Sequence, residues 1–234
     1  MKTAIITGAS RGVGRAVAET LAQDGWRLIL NCRSRFDLLE QEAEKLRALT
    51  IVKTVHGPIT DDLLQELLGR SESILLVNNA GISTFNLAQD VSDDELEEML
   101  AANVKDMFRL TRAVIPYMLR ASEARILNMS SVWGVVGASM ESVYSLTKGA
   151  VNAFTEALGK ELAPNHIPVN AIAIGCVDTD MNGWMSAEDR AQLEDEIPYG
   201  RMCTPAEVAS FVRLLAAAPA YLTGQIIRFD GGWI

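Results

Sequence analysis

The chain has 234 residues, of which 49% are hydrophobic and 22% charged, as is typical of a globular protein long enough to bury a large core. The formal net charge of −9 argues against a basic face for nucleic acid. No apolar run reaches the ~18–20 residues of a membrane span, and the stretch before the first glycine is too short for a signal peptide. We therefore expect a cytoplasmic protein that binds neither nucleic acid nor membrane.

The cysteines and histidines indicate neither a disulfide framework nor a metal centre. The three cysteines are Cys32, Cys176 and Cys203, an odd number with no CxxC pair. The two histidines, His56 and His166, do not lie at metal-ligand spacing from other good ligands. We expect free thiols, surface or packing histidines, and no metal.

Short, mostly apolar runs alternate with longer helical patterns along the whole chain. Near-continuous apolar runs are typical of parallel strands that are buried on both faces. The predicted strands are Thr3–Thr7, Arg27–Asn31, Ile51–Val55, Ile74–Asn78, Arg125–Met129, Val169–Ile174 and Gln225–Phe229. The predicted helices are Val13–Gln23, Leu38–Ala48, Ser92 to Tyr117, Tyr144–Leu162 and Thr204 to Leu215. Residues 1–234 are thus predicted to form one doubly wound Rossmann domain, a seven-stranded parallel sheet with helices on both faces.

Residues Asp178–Gly200 form an unusually long connection between the sixth strand and the last helix. Connections of this length are often functional lids, and a short helix is expected near Ser186–Glu196. Met181, Trp184 and Met185, with Val135, Val136 and Met140, favour a partly apolar pocket. The alternative is that these side chains only pack the lid.

A glycine turn, Gly8-Ala9-Ser10-Arg11-Gly12-Val13-Gly14, directly follows the first strand and opens a helix. Glycines let the backbone turn tightly and approach a pyrophosphate, and the helix N-terminus supplies free N–H donors. The alternative is a tight strand-to-helix turn without a ligand.

Tyr144 and Lys148 lie four positions apart and share a face of a predicted helix. An ammonium there can stabilise a phenolate, lower the pKa of the tyrosine and so provide a proton donor. A tyrosine and a lysine at this spacing are common surface neighbours on helices. Their function can therefore be inferred only from the residues expected around them. Ser130 and Ser131 end the fifth strand, and Asn78-Asn79-Ala80-Gly81 ends the fourth, on the edge where open α/β sheets bind ligands.

The Thr7-Gly8-xxx-Gly12-x-Gly14 turn, the Asn79-Ala80-Gly81 segment, Ser131 and the Tyr144–Lys148 pair occur in an order and spacing that resembles the short-chain dehydrogenase/reductase family. The resemblance implies that Tyr144 is the acid/base, that Lys148 binds the nicotinamide ribose and tunes the tyrosine, and that Ser131 binds the substrate oxygen. It also implies that Asn103 supports a proton relay to the lysine. The implied cofactor contacts are Gly8, Ser10, Arg11, Gly12, Val13, Gly14, Arg33, Asn79, Ala80, Gly81, Tyr144, Lys148, Gly175, Val177 and Thr179.

The residues after the second strand favour NADP over NAD. Cys32 stands where the family carries the acid that binds the ribose 2′-hydroxyl of NAD, and Arg33 follows it. Arg33 and Arg11 can flank a 2′-phosphate with charge-assisted hydrogen bonds. The alternative is that Arg33 and Arg35 are solvated loop charges.

Three segments depart from the family pattern. Ile174-Gly175 replaces the usual Pro-Gly, which predicts a looser or shifted turn at the nicotinamide end. Residues Gly57–Thr60 lack the usual acid near the adenine, and Asp61–Asn78 is short, which predicts a truncated third helix.

The resemblance is strongest to the 3-oxoacyl-acyl-carrier-protein reductase branch, and implies hydride transfer between a nicotinamide and a carbonyl or secondary alcohol. Ketones, β-keto esters and acyl thioesters remain open as substrates. The resemblance also leaves an acyl carrier protein open as a partner. Ser122 and Asn165, which stand where basic docking residues are expected, argue against it, whereas the nearby Arg120 and Arg125 could take their place. A general carbonyl reductase or alcohol dehydrogenase, a nucleotide-sensing protein without turnover and a scaffold subunit are the alternatives. A homotetramer or homodimer built on the two longest helices is implied.

Overall fold

A computed structural model describes residues 1–183 and 185–234 of the chain. Seven strands form one sheet in the order β3-β2-β1-β4-β5-β6-β7, and every strand pair is parallel. The strands are β1 Lys2–Thr7, β2 Arg27–Cys32, β3 Val52–His56, β4 Ser73–Asn78, β5 Glu123–Ser131, β6 Val169–Ile174 and β7 Ile226–Phe229. The strand order reverses between β1 and β4, which places a crevice at their carboxyl ends. The predicted doubly wound parallel sheet is confirmed.

Helices cover both faces of this sheet. They are α1 Gly12–Gln23, α2 Phe36–Leu46, α3 Asp61–Leu68, α4 Asp93–Leu100, α5 Asp106–Met118, α6 Trp133–Val136, α7 Ser142–Leu162, α8 Ala187–Glu196 and α9 Pro205–Ala216. Successive strand residues point to opposite faces. Ile6 accordingly packs in the core beneath α1, α2 and α9, whereas Ile5 packs in the core beneath α3, α5 and α7. The sheet therefore holds the ends of its strands between two rigid helical layers.

The predicted long helix from Ser92 contains a π-helical turn. It begins with a capping box formed by Ser92 and Glu95. Regular α-helix α4 then gives way to a π-helical segment at Ala101–Lys105, and α5 continues directly from it. The wider π-helical turn is held in place by the hydrogen bonds of the Asn103 side chain, which are described below.

Other differences from the sequence predictions lie at element ends. Helix α2 begins at Phe36, two residues before the predicted start, because Phe36 packs against the core and stacks on His56 at 5.0 Å. Helix α3 has only eight residues, as its short segment predicts. The short helix α6 was not predicted.

The predicted lid helix is present as α8, begun by a Ser186–Asp189 capping box and carrying no buried residue. Arg190 donates two hydrogen bonds, of 2.9 and 2.8 Å, to Asp178 and so anchors α8 to the loop after β6. Trp184 lies outside the described residues. Within the described part of the chain, no helix is long and apolar enough to cross a membrane, and no cluster of metal-ligating side chains is found. All three cysteines are free.

Candidate active site

The carboxyl ends of β1 and β4 are joined by hydrogen bonds at the crevice. The Thr7 hydroxyl accepts hydrogen bonds from the backbone N–H groups of Asn79 (2.9 Å) and Ala80 (3.0 Å). The Asn79 amide donates to the carbonyls of Thr7 (2.9 Å) and Gly8 (3.2 Å). The glycine turn and the segment after β4 are therefore held as one surface.

The glycine turn has the shape of a phosphate-binding cradle. Gly8 and Gly12 adopt φ angles of +65° and +55°, which side chains disfavour. A Cβ at Gly14 would lie 2.3 Å from the Gly8 carbonyl oxygen, so only glycine allows this approach. Arg11 is extended and its side chain does not cap α1, so the first N–H groups of the helix face the crevice without that partner. Among the other predicted contacts, Ser10 is partly buried and Val13 packs against the core.

The loop after β6 returns to the glycine turn. A Cβ built on Gly12 would lie 3.4 Å from the Thr179 methyl group, so Thr179 lies beside the glycine turn. Val177 is buried and pairs with Cys203. A Cβ at Gly175 would lie 2.9 Å from the Asp230 Cα, so this glycine is required by packing against the C-terminal segment.

The looser turn expected from Ile174-Gly175 is not found. Ile174 is buried as the last residue of β6 and pairs with Ser131 and Phe229. Its carbonyl accepts a hydrogen bond of 3.0 Å from the Val132 N–H. Pairing with β5 and β7 thus fixes the backbone at Ile174, where relatives of the family usually have a proline.

The two arginines predicted to flank a 2′-phosphate are exposed and near the crevice, but each is paired with a carboxylate. Arg11 lies 3.5 Å from Asp180, and Arg33 lies 3.2 Å from Glu98. Exposed ion pairs of this kind contribute at most about 1 kcal/mol, so a phosphate can displace them. Cys32, at the end of β2, is buried and offers no carboxylate at this position.

Tyr144, Ser131 and Lys148 come together where β5 meets α7. Tyr144 is partly buried, and the Ser131 hydroxyl accepts a hydrogen bond of 3.2 Å from the Trp133 N–H. The Lys148 ammonium lies 5.6 Å from the centre of the Tyr144 ring and donates to the Met129 carbonyl at 2.8 Å. The structure therefore brings together the three residues that the sequence placed on α7 and β5.

Asn103 is buried and connects the π-helical turn to the start of α7. Its side-chain oxygen accepts from the Ile82 N–H at 2.8 Å, and its amide donates to the Ile82 carbonyl (2.9 Å) and the Thr147 hydroxyl (3.0 Å). A Cβ built on Gly81 would lie 3.2 Å from the Asn103 oxygen and 3.5 Å from the Lys148 ammonium. The glycine at position 81 thus keeps open the space between these two groups.

Burial shifts the pKa values of the tyrosine and lysine in opposite directions. Removal from water, and then the Glu141 carboxylate, raise the pKa of Tyr144, while the Ser131 hydrogen bond partly opposes this. Burial lowers the pKa of Lys148 to about 8. The sequence predicted that Lys148 lowers the pKa of Tyr144, but in the cofactor-free protein this pKa is raised. Burial disfavours both the tyrosinate and the lysine ammonium.

The sequence reasoning missed Glu141, which precedes α7 and acts electrostatically on Tyr144. Burial raises the pKa of its carboxyl group, and the nearby Trp133 side chain partly opposes this shift. The signal in the sequence was a carboxylate three positions before the candidate acid/base, preceded by a tryptophan eight positions earlier.

Comparisons with known proteins identify the family of the chain. The family model for short chain dehydrogenases matches residues 2–190. The oxidoreductase YmfI of Bacillus subtilis strain 168 is 38% identical, over 99% of this chain and 98% of that protein. The 3-oxoacyl-[acyl-carrier-protein] reductase of a Staphylococcus epidermidis strain is 33% identical, over 99% of this chain and 98% of that protein.

A solved structure shares the fold over nearly the whole chain. It is a candidate NAD(P)-dependent gluconate 5-dehydrogenase from Beutenbergia cavernae with NADP bound at low occupancy. The two chains are 31% identical with a TM-score of 0.90, and the match covers 99% of this chain and 96% of that one. The family model, the relatives and this fold show that the chain belongs to the short-chain dehydrogenase family and is an oxidoreductase acting on CH–OH or C=O groups.

Proposed function

We propose that the chain is a nicotinamide-dependent carbonyl reductase in which Tyr144 is the acid/base. The observation that carries this proposal is the meeting of α7 with the end of β5 at the crevice. The Lys148 ammonium lies 5.6 Å from the centre of the Tyr144 ring and donates to the carbonyl of Met129, two residues before Ser131. Two hydroxyl groups that converge at one point can hold a carbonyl oxygen and protonate it. The glycine turn at Gly8–Gly14 supports a role for the cofactor, because its glycines allow close approach of a pyrophosphate and the Arg11 side chain does not cap the N-terminus of α1.

The proposed mechanism assigns each residue a distinct role. A bound reduced nicotinamide supplies the hydride that the carbonyl carbon accepts. Ser131 donates a hydrogen bond to the carbonyl oxygen, and Tyr144 gives that oxygen its proton. Lys148 then stabilises the tyrosinate, and Asn103 positions the start of α7 through its contacts with Ile82 and Thr147. Oxidation of an alcohol uses the same steps in reverse.

The remaining predicted residues bind and orient the cofactor in this proposal. They are Gly8, Ser10, Arg11, Gly12, Val13, Gly14, Arg33, Asn79, Ala80, Gly81, Gly175, Val177 and Thr179. The Thr179 methyl group lies close to Gly12, which supports a continuous binding surface from the glycine turn to the loop after β6. Gly175 packs on Asp230, which supports a positioning role for that glycine.

NADP is the cofactor we propose, because Cys32 offers no carboxylate at the end of β2 and two exposed arginines lie near the turn. We expect Arg33→Ala to raise the dissociation constant of NADPH at least about tenfold and to leave that of NADH nearly unchanged, since only NADPH carries the 2′-phosphate. Fluorescence titration with both cofactors measures this. Arg35→Ala, which removes a neighbouring exposed arginine, is the matched control. Equal weakening of both cofactors by Arg33→Ala would contradict the phosphate role.

A direct assay tests the proposed reaction. Oxidation of NADPH and NADH is followed against ketones, β-keto esters and an acetoacetyl thioester. Turnover of a carbonyl compound supports the reductase. Tight cofactor binding without turnover of any carbonyl compound would favour a nucleotide-sensing protein of the same fold.

Reduction of an acyl thioester held by an acyl carrier protein is the second candidate. It is favoured by the 33% identity to a 3-oxoacyl-[acyl-carrier-protein] reductase. Against it, Ser122 and Asn165 stand at the positions where basic docking residues are expected, and Arg125 is occupied by a 2.6 Å hydrogen bond to the Ala218 carbonyl. Comparison of a carrier-bound and a free acetoacetyl thioester separates the two candidates.

We also propose that the chain assembles as a homotetramer or homodimer through the helices that contain α5 and α7. Phe108 on α5 is 44% exposed and Leu146 on α7 is 55% exposed. Large apolar side chains on neighbouring helices are typical of a surface that another copy covers. We propose separately that α8 acts as a lid. Its Arg190 forms an ion pair with Asp178 in the loop after β6.

A further inference from the structure

One face of α7 is joined to the end of β5 by side-chain hydrogen bonds that the mechanism above does not use. Lys148, Asn152 and Thr155 lie four and three positions apart and so share this face. The Thr155 hydroxyl accepts a hydrogen bond of 2.9 Å from the Asn128 amide. The Asn152 oxygen accepts one of 2.6 Å from the Ser130 hydroxyl. Satisfied polar contacts of this kind fix how a helix lies on a strand more specifically than apolar packing does.

Asn152 binds the chain on both sides of Ser131. Its side-chain oxygen accepts the hydrogen bond from Ser130, and its amide donates to the Gly134 carbonyl at 2.8 Å. The Ser130 hydroxyl is buried and also lies 3.4 Å from the Lys148 carbonyl, one turn earlier in α7. A single side chain of α7 thus holds the residue before and a residue after the proposed ligand of the substrate oxygen.

Gly134 packs directly on the turn of α7 that carries Lys148. A Cβ at Gly134 would lie 2.6 Å from the Lys148 carbonyl carbon and 2.8 Å from its Cβ, so only glycine allows this contact. The sheet holds the chain as far as Val132, whose N–H binds the Ile174 carbonyl at 3.0 Å. Beyond Val132 the chain leaves β5 and enters α6. The Asn152 amide and the packing at Gly134 therefore fix this segment against α7.

Thr155 makes a comparable buried hydrogen bond at a place where the strand is already fixed. Its partner Asn128 is paired with Asn78 of β4 on one side and with Ala171 of β6 on the other. Those two strands hold the backbone at Asn128 with or without the Thr155 hydroxyl. A substitution at Thr155 therefore measures the loss of a buried hydrogen bond alone.

We propose that Asn152 is a positioning residue that holds Ser131 at its working distance from Tyr144 and Lys148. This inference rests on the proposed reductase function and adds a residue to it. Asn152 gives no proton in the mechanism above and acts through the two segments that it binds. The substrate oxygen must meet the Ser131 hydroxyl and the Tyr144 proton at one point, so a displacement of about 1 Å between them lowers the rate.

Asn152→Leu removes both hydrogen bonds and tests this role. We expect kcat for a ketone to fall at least about tenfold, with KM and the dissociation constant of NADPH nearly unchanged, because the loss lies in the alignment of the reacting groups. Asn152→Asp keeps the acceptor for Ser130 and removes the donor to Gly134. It should also lose kcat, and it replaces the leucine variant if that protein does not fold.

Thr155→Val is the matched control, because it removes a buried hydrogen bond from the same face of α7. It should lower the unfolding temperature about as much as Asn152→Leu does and keep kcat near that of the wild type. A normal kcat in Asn152→Leu would overturn the inference. An equal loss of kcat in Thr155→Val would overturn it too, since any weakening of the contact between α7 and β5 would then slow the reaction.

A second measurement does not depend on turnover. NMR titration of lysines labelled with ¹³C at Cε, with Lys148→Met to assign the signal, gives the pKa of Lys148, which burial lowers to about 8. In Asn152→Leu this pKa should move toward the ordinary value of 10.5, because water reaches Lys148 once Gly134 is released. Thr155→Val should keep the wild-type value.

The two measurements separate this inference from the reductase proposal. Turnover by the wild type with kcat unchanged in Asn152→Leu would overturn the positioning role and leave the reductase standing. No turnover of any carbonyl compound, with the pKa of Lys148 changed in Asn152→Leu alone, would contradict the reductase and support the positioning of this turn by Asn152. Neither turnover nor a change in that pKa would overturn both.

Discussion

The Tyr144→Phe protein should bind NADPH as tightly as the wild type and reduce ketones at least about 100-fold more slowly, the scale of general acid catalysis. The substitution removes one hydroxyl group and keeps the ring that lies 5.6 Å from the Lys148 ammonium. The carbonyl oxygen then keeps its hydrogen bond from Ser131 but loses its proton donor. Steady-state kinetics and fluorescence titration of the cofactor measure the two effects separately.

Tyr221→Phe is the matched control for this experiment, because Tyr221 is 99% exposed and lies outside the site. It should behave as the wild type in both measurements. A Tyr144→Phe protein with near-normal turnover would rule out Tyr144 as the acid. Loss of cofactor binding together with loss of rate would instead assign the tyrosine a positioning role.

The stability of the cofactor-free protein should depend on pH through Lys148. Burial lowers the pKa of this ammonium from 10.5 to about 8 in the folded protein. At neutral pH both states carry the proton, and the folded state bears the full cost of burying it. As pH rises from about 7 to about 9.5, the folded protein loses the proton first and this cost falls. Relative to Lys148→Met, the wild type should therefore gain about 2 kcal/mol in its free energy of unfolding over that range.

Urea unfolding of both proteins at the two pH values measures this difference. The Lys148→Met protein also loses the hydrogen bond to the Met129 carbonyl, but that loss is common to both pH values and cancels. Lys160→Met removes an exposed lysine from the same helix and controls for the loss of a charge from the protein. A difference that does not change with pH would show that Lys148 titrates near its ordinary range in the folded state.

The sheet and much of the proposed site could be predicted because their signals are local. Strands buried on both faces are continuous apolar runs, as in Val169–Ile174, which the structure gives with the same bounds. The glycine turn is also a local signal, since a Cβ at Gly14 would meet the backbone only six residues earlier. Ser131 could be placed near Tyr144 because parallel strands end on one edge of the sheet. In the structure the Lys148 ammonium lies beside the Tyr144 ring and binds the Met129 carbonyl, two residues before Ser131.

What could not be predicted depends on contacts between distant segments. The π-helical turn interrupts a pattern that appears regularly helical, because Asn103 is fixed by Ile82 and Thr147, which are 21 and 44 positions away. The direction of the Tyr144 pKa depends on burial and on Glu141, neither of which the tyrosine–lysine spacing reveals. Glu141 was missed because its approach to Tyr144 depends on how the segment before α7 folds.

The π-helical turn at Ala101–Lys105 limits how homologous chains can differ in length. A π turn holds one residue more than an α-helical turn, and each residue of an α-helix rotates the following face by about 100°. Deletion of one residue here would let the segment close into regular helix and would turn Asn103 away from Ile82 or shift the whole of α5. Changes in length are tolerated in surface loops, but within this helix they would displace Asn103, and we expect relatives to lack them. In an alignment of related reductases, a gap placed within these five residues would mark an alignment error or a rebuilt site.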